Sequence, residues 1–124
     1  MEESKELYFI ASAYNDLLDL PPVVRKEFGH TLWLVQQGGT PGNASPFEGS
    51  RANEIMKLTE RYDTDTYRAV YTAKFERAVF VLHVFKKKSQ SGIRTPPKEV
   101  ETVIKRLRQA KSDYDQMFGT EGAK

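Results

Sequence analysis

The chain has 124 residues and not one cysteine. That excludes a disulfide framework and thiolate chemistry, and it fits a cytosolic protein without requiring one. Histidine occurs twice, as His30 and His83. Two histidines without cysteine make no metal site by spacing, so no metal and no cofactor are expected. No apolar run approaches the ~20 residues of a membrane span. The opening "MEESKELYFI" starts acidic and lacks the basic-then-apolar pattern of a signal peptide. A phosphate-binding loop is missing too: "EGSRANE" has one glycine and no Lys-Ser/Thr after it. Nor is there a nucleophile elbow, an internal repeat or a low-complexity segment.

What the chain does have is a lopsided charge. The net charge is only +2, and 39% of residues are hydrophobic against 29% charged, a balance that reads as one soluble domain over residues 1–124. Residues 1–73 carry seven Lys and Arg against eleven Asp and Glu, a net of −4. Residues 74–111 carry eleven against three, a net of +8, and the last thirteen return −2. A concentrated basic segment suggests a polyanionic partner, although a solvated basic face would look the same. A flexible tail is expected from about residue 113.

"ELYFIA" (6–11) reads as a short strand. "SAYNDLLDL" reads as a helix with Ser12 as N-cap, ended by Pro21-Pro22. Val24, Phe28, Leu32 and Val35 then recur at helical spacing through 23–39, with Pro22 at the start and Gly38-Gly39 at the end. Trp33 lies near this apolar stripe, where packing or a partner interface is expected. Residues 40–50 read as loop. Strands are predicted over 53–60, 66–73 and 77–86, with a turn at "RYDTD". Thr95-Pro96-Pro97 opens a last helix with Val100, Val103, Ile104 and Leu107 along one stripe. The expectation is an α+β fold in the order β-α-α-β-β-β-α. Its small, four-stranded, antiparallel-rich sheet carries an N-terminal helical hairpin and a C-terminal helix, packed on one face.

A four-residue loop at 74–77 would pair Arg68 with His83 across the hairpin. Tyr67, Ala69, Tyr71, Phe80, Leu82 and Val84 would then share the core face. Arg68, Val70, Thr72, Val79, Val81, His83, Phe85 and Lys87 would share the other. A slip of one residue would undo that pattern.

Arg68, His83, Lys57, Lys86, Lys87 and Tyr67, the last facing the core in this register, thus gather on or near one small sheet. Such a set suits cleavage of RNA by its own 2′-hydroxyl. Arginine clamps the phosphate at two points, lysine stabilises charge, and histidine exchanges protons. A histidine on a strand is more often structural, so the chemistry is only one of the readings left open.

The stretch "TYRAVYTAKFERAVFVLHVFKKKSQSGIRTPPKEVETVIKRLRQA" carries a further pattern. Tyr67-Arg68 with Tyr71 is followed by Leu82-His83, Phe85 and Lys87-Lys88, and then by Thr95-Pro96 opening a helix. This resembles toxins of the HigB type, the group of phage-derived proteins in the RelE/ParE superfamily. "LPPVVRKEFGHTLWLVQQGGTP" is similar to the family's helical hairpin. The resemblance spans roughly residues 7–110. It implies a cytoplasmic toxin of a type II toxin-antitoxin system: a ribosome-dependent mRNA endonuclease that inhibits translation without metal, neutralised by a helix-turn-helix antitoxin. On that resemblance Arg68, Lys87 and His83 are the catalytic candidates, and Lys57, Lys86, Lys88 and Arg94 the RNA-binding ones. Many relatives have an arginine in the strand before "YR"; here "EIMKL" offers Lys57, which lacks the planar fork of arginine. The same superfold also hosts poisons of DNA gyrase, and an inactive antitoxin-binding protein would keep the same scaffold.

Overall fold

Residues 78–82, Ala-Val-Phe-Val-Leu, are apolar at every position, so a strand there has no face to give to water. The computed structural model, which describes residues 4–48, 54–87 and 95–122, covers that strand on both sides. The element order is β1 (Glu6–Phe9), α1 (Ala13–Leu18), α2 (Pro22–Gln36), β2 (Ala44–Pro46), β3 (Met56–Tyr62), β4 (Asp65–Thr72), β5 (Ala78–Lys87) and α3 (Pro97–Gly122). The strands form one five-stranded sheet in the order β1-β5-β4-β3-β2. β1 runs parallel to β5, and the other neighbours are antiparallel.

The α+β class stands, with two changes. β2, in a stretch read as loop, adds a fifth strand on the β3 edge. The helices also divide between the faces. Ala13 and Leu17 of α1 join Val24, Phe28, Leu32 and Val35 of α2 against Leu58, Tyr67, Ala69, Tyr71, Val79, Val81 and Val84. Val103, Leu107, Ala110 and Tyr114 of α3 pack on the opposite face against Phe47, Ile55, Val70, Phe75, Phe80 and Leu82. Two cores are required because β4 and β5 are apolar on both sides.

The hairpin register departs from the symmetric loop. Thr72 faces Phe80 and Tyr71 faces Val81, one step away from the expected pairing. Phe75 folds into the α3 core, with its ring 4.5 Å from that of Tyr114, so the connection is longer than four residues. A bulge between Tyr71 and Val70 then adds a second step, so that Val70 faces His83 and Arg68 faces Phe85. One step inverts a strand's faces and two restore them. Phe80 and Leu82 therefore lie on the α3 side and Val79 and Val81 on the α2 side, the reverse of the expectation. His83, Phe85 and Lys87 keep the predicted face, shared with Arg68.

Local signals hold for α2 and fail at Ser12 and in the tail. α2 starts on Pro22 and ends at Gly38, whose φ of 95° lets the amides of Gly38 and Gly39 reach Val35 O and Leu34 O. The Ser12 hydroxyl donates to the Asp16 carboxylate instead of accepting from a backbone amide, so Ser12 is no side-chain cap. α3 runs on past residue 113, where a loose tail was expected, and Tyr114 is fully buried.

Candidate functional site

Cationic side chains are mostly surface groups, because burying a charge costs several kcal/mol unless it is paired. Arg68 and Lys87 break that rule: they are only 6% and 5% exposed. Both lie on the α3 face of adjacent strands, beyond the end of the apolar core. Lys57 joins them from β3, opposite Val70, with its side chain 12% exposed. Arg61, four residues further along β3, sits on the same face and is exposed.

Among the described residues a carboxylate, Glu48, lies beside these cations, and it comes from outside the hairpin. Phe47 extends the β2–β3 ladder, its amide donating to Ile55 O at 2.9 Å while its ring is buried. The next residue, Glu48, is thereby placed beside the basic group. Lys57 Nζ is 3.1 Å from Glu48 Oε2. Thr95, just before α3, links the acid to Arg68: Arg68 Nη1 donates to Thr95 Oγ1 at 3.0 Å, and Thr95 Oγ1 donates to Glu48 Oε1 at 2.8 Å. The Thr95 amide donates to Glu48 Oε2 at 3.2 Å.

The electrostatics follow. Burial by itself would raise the Glu48 pKa, but its own amide, Thr95 and Lys57 outweigh that and hold the carboxyl at about 2. Burial pulls the Arg68 guanidinium below its ordinary value; Glu48 opposes this and Arg61 adds to it. Lys87 is lowered as well, first by burial, then by Arg68 and Lys57, with Glu48 opposing. The group holds an excess of positive charge in a poorly hydrated place, an arrangement suited to an anion.

A family model of phage-derived, Gp49-like proteins (DUF891) matches residues 15–108. The chain belongs to this family. The Gp49-like chain also shares the fold of a double arginine-to-alanine mutant of the E. coli toxin RelE in the free state. The TM-score is 0.60 at 22% sequence identity, over 85% of this chain and 99% of that one. No curated protein is detectably similar in sequence.

Within this Gp49-like fold the candidate residues divide. Arg68, Lys87 and Lys57 come together. Lys86 alternates to the other face, opposite Tyr67, and its Nζ lies 3.6 Å from Asp65. His83 shares the Arg68 face but is engaged with α3: Nε2 is 2.5 Å from Glu99 Oε1, and Nδ1 is 3.3 Å from Arg106 Nη1. Lys88 and Arg94 lie outside the described residues. Glu48, Thr95 and Arg61 were missed. Arg61 was legible as the next-but-one alternate of Lys57 along β3, had the strand been carried past residue 60. Glu48 carries no local signal. β5 carries no acid opposite Arg68; the acid arrives from the β2–β3 connection. A groove of about 680 Å³ lined by Lys5, Tyr71, Lys74 and Glu54 opens at the other end of the sheet. It holds none of these residues, and Lys74 is satisfied there by Glu54 at 2.6 Å.

Proposed function

We propose that this Gp49-like protein is the toxin of a toxin-antitoxin pair, a cytoplasmic endonuclease that cuts mRNA on the ribosome and is neutralised by a helix-turn-helix antitoxin. The fold shared with a protein named as a toxin supports this reading, and so does the family pattern from Tyr67-Arg68 to Thr95-Pro96. The observation that carries it is the convergence of Arg68, Lys57 and Lys87 around one anion position.

In the reaction, the RNA 2′-oxygen attacks the adjacent phosphorus, forming a 2′,3′-cyclic phosphate, while its proton passes to water. The bond from phosphorus to the 5′-oxygen breaks, and that oxygen takes up a proton. Arg68 clamps the non-bridging oxygens and Lys57 adds charge as the pentavalent phosphorus forms. Lys87, whose ammonium is destabilised by burial and two cationic neighbours, gives the proton to the leaving 5′-oxygen. His83 enters as the residue that seats the first turns of α3, since Glu99 and Arg106 engage its ring nitrogens.

Growth arrest and primer extension on cellular mRNA test the proposal. The wild type should generate new 5′ ends inside coding regions. Arg68→Ala should lower cleavage by about a hundredfold or more while keeping antitoxin binding. Lys87→Ala should cost nearly as much, because Lys86 points away and does not replace it. DNA damage with intact mRNA would overturn the nuclease in favour of a gyrase poison. Full toxicity of Arg68→Ala at equal expression would remove the clamp.

A further inference from the structure

The anion position of the free protein already holds an anion. A carboxylate presents two oxygens and one negative charge, as the non-bridging oxygens of a phosphodiester do, and arginine recognises both through the same paired geometry. Glu48 takes the donors a phosphate would use: the Thr95 hydroxyl and amide, and the Lys57 ammonium. Arg68 reaches the acid through the same hydroxyl. Resting on the proposed function, we propose that Glu48 is a resident counter-anion that the scissile phosphate must displace, and that it thereby sets the site's selectivity for a nucleic-acid strand over a lone phosphate.

Burial decides which partner moves. Arg68 and Lys87 are enclosed by the sheet, whereas the Glu48 side chain is 34% exposed. The backbone at Glu48 is held by the neighbouring buried Phe47 ring, so rotation of the Glu48 side chain alone opens the position. A lone phosphate that replaces Glu48 trades one anion for another and gains little. A strand brings further phosphates, which meet the exposed Arg61 on the same face, and these extra contacts drive the exchange. A position self-occupied nine-tenths of the time weakens apparent affinity about tenfold.

The test is binding of a short, fluorescent 2′-deoxy oligonucleotide, which has no 2′-hydroxyl and so is not cut, to the full chain. Glu48→Gln should bind about tenfold tighter than wild type, and inorganic phosphate should compete with the oligonucleotide far better in the variant. Glu48→Asp keeps the charge but withdraws the carboxylate by one methylene from Thr95. It should also bind more tightly, which charge repulsion alone would not produce. Glu54→Gln, the same charge change at the far end of the sheet, should leave affinity within about twofold of wild type. If wild type binds and neither Glu48 variant gains more than Glu54→Gln, the displacement is wrong. Should Glu48→Gln fail to fold, Glu48→Asp decides alone. If folded wild type and variants all fail to bind, the phosphate site itself falls, and the inference with it.

Discussion

Glu48 is one of seventeen acids and belongs to no motif, yet it has one of the most specific environments in the chain. Its folded pKa of about 2 lies below the ordinary carboxylate value, so its ionised form stabilises the fold. That contribution is complete above the unfolded pKa near 4.5 and is lost as pH falls towards 2. After allowance for the exposed third of the side chain it amounts to about 1–2 kcal/mol. Urea melts of the wild type should therefore lose stability steeply between pH 5 and 2 (roughly the span of the two pKa values). Glu48→Gln should start lower at pH 7 and fall less; an unchanged slope would show that Glu48 is not the acid responsible. A second residue-scale prediction concerns Asp63 and Thr64, which turn β3 into β4 with φ of 52° and 71°. Positive φ at both positions suits a two-residue hairpin, but a β-branched threonine is strained there. Thr64→Gly should raise stability by about 1 kcal/mol despite glycine's greater freedom when unfolded, read as a higher melting temperature. At this scale the sequence showed Arg68, Lys87 and Lys57, because a strand's alternation and a family pattern both point to them. It hid Glu48 and Thr95, whose roles exist only after β2 and the start of α3 have been brought to the hairpin.

At the scale of elements, the legible parts were those whose signals are local. Proline and glycine mark the ends of α2, and a four-residue stripe marks its buried face. The register of β4 and β5 was not legible, because two departures of one residue each depend on distant packing. Phe75 leaves the turn only because Tyr114 of α3 is there to stack on it. The bulge brings both Leu82 and His83 to the α3 side, where Leu82 enters the core and His83 meets Glu99 and Arg106. An acidic, polar C-terminal sequence concealed the same contact and read as a loose tail. Tyr114 has no exposed surface, and its hydroxyl accepts a hydrogen bond from the Arg77 amide at 3.2 Å. Tyr114→Ala should cost about 3–5 kcal/mol in urea denaturation, as large aromatic truncations in cores do. A loss below about 1 kcal/mol would mean that α3 is not seated beyond residue 113.

At the scale of the whole molecule, the described cations of the +8 segment do not make one basic surface. Lys74 and Lys111 meet Glu54, at 2.6 and 3.7 Å, and Arg77 lies over the Phe118 ring. Lys98, Lys105 and Arg108 are exposed on α3. Of that segment's described cations, Lys87 alone stands with Arg68, while Lys57 and Arg61 come from the half of the chain with negative net charge. Net charge by sequence window therefore pointed to a polyanion without locating its site. A single strand held by these four cations should lose affinity with salt at a log-log slope of about −3. Replacing Lys105 and Arg108 by glutamine should leave that slope nearly unchanged, whereas Lys57→Gln should flatten it by about 0.7. A slope set by the α3 pair would move the interface off the sheet. The parallel pairing of β1 with β5 has a consequence for synthesis. Residues 6–9 find their partners only at 78–81, so the first strand made waits for the last before it is fixed. A nascent chain still held in the exit tunnel short of β5 has neither the sheet order nor the Arg68–Lys87 pairing face. Products that stop before β5 are therefore open strands without a formed site, and the assembled sheet exists only once residues 78–81 have left the ribosome.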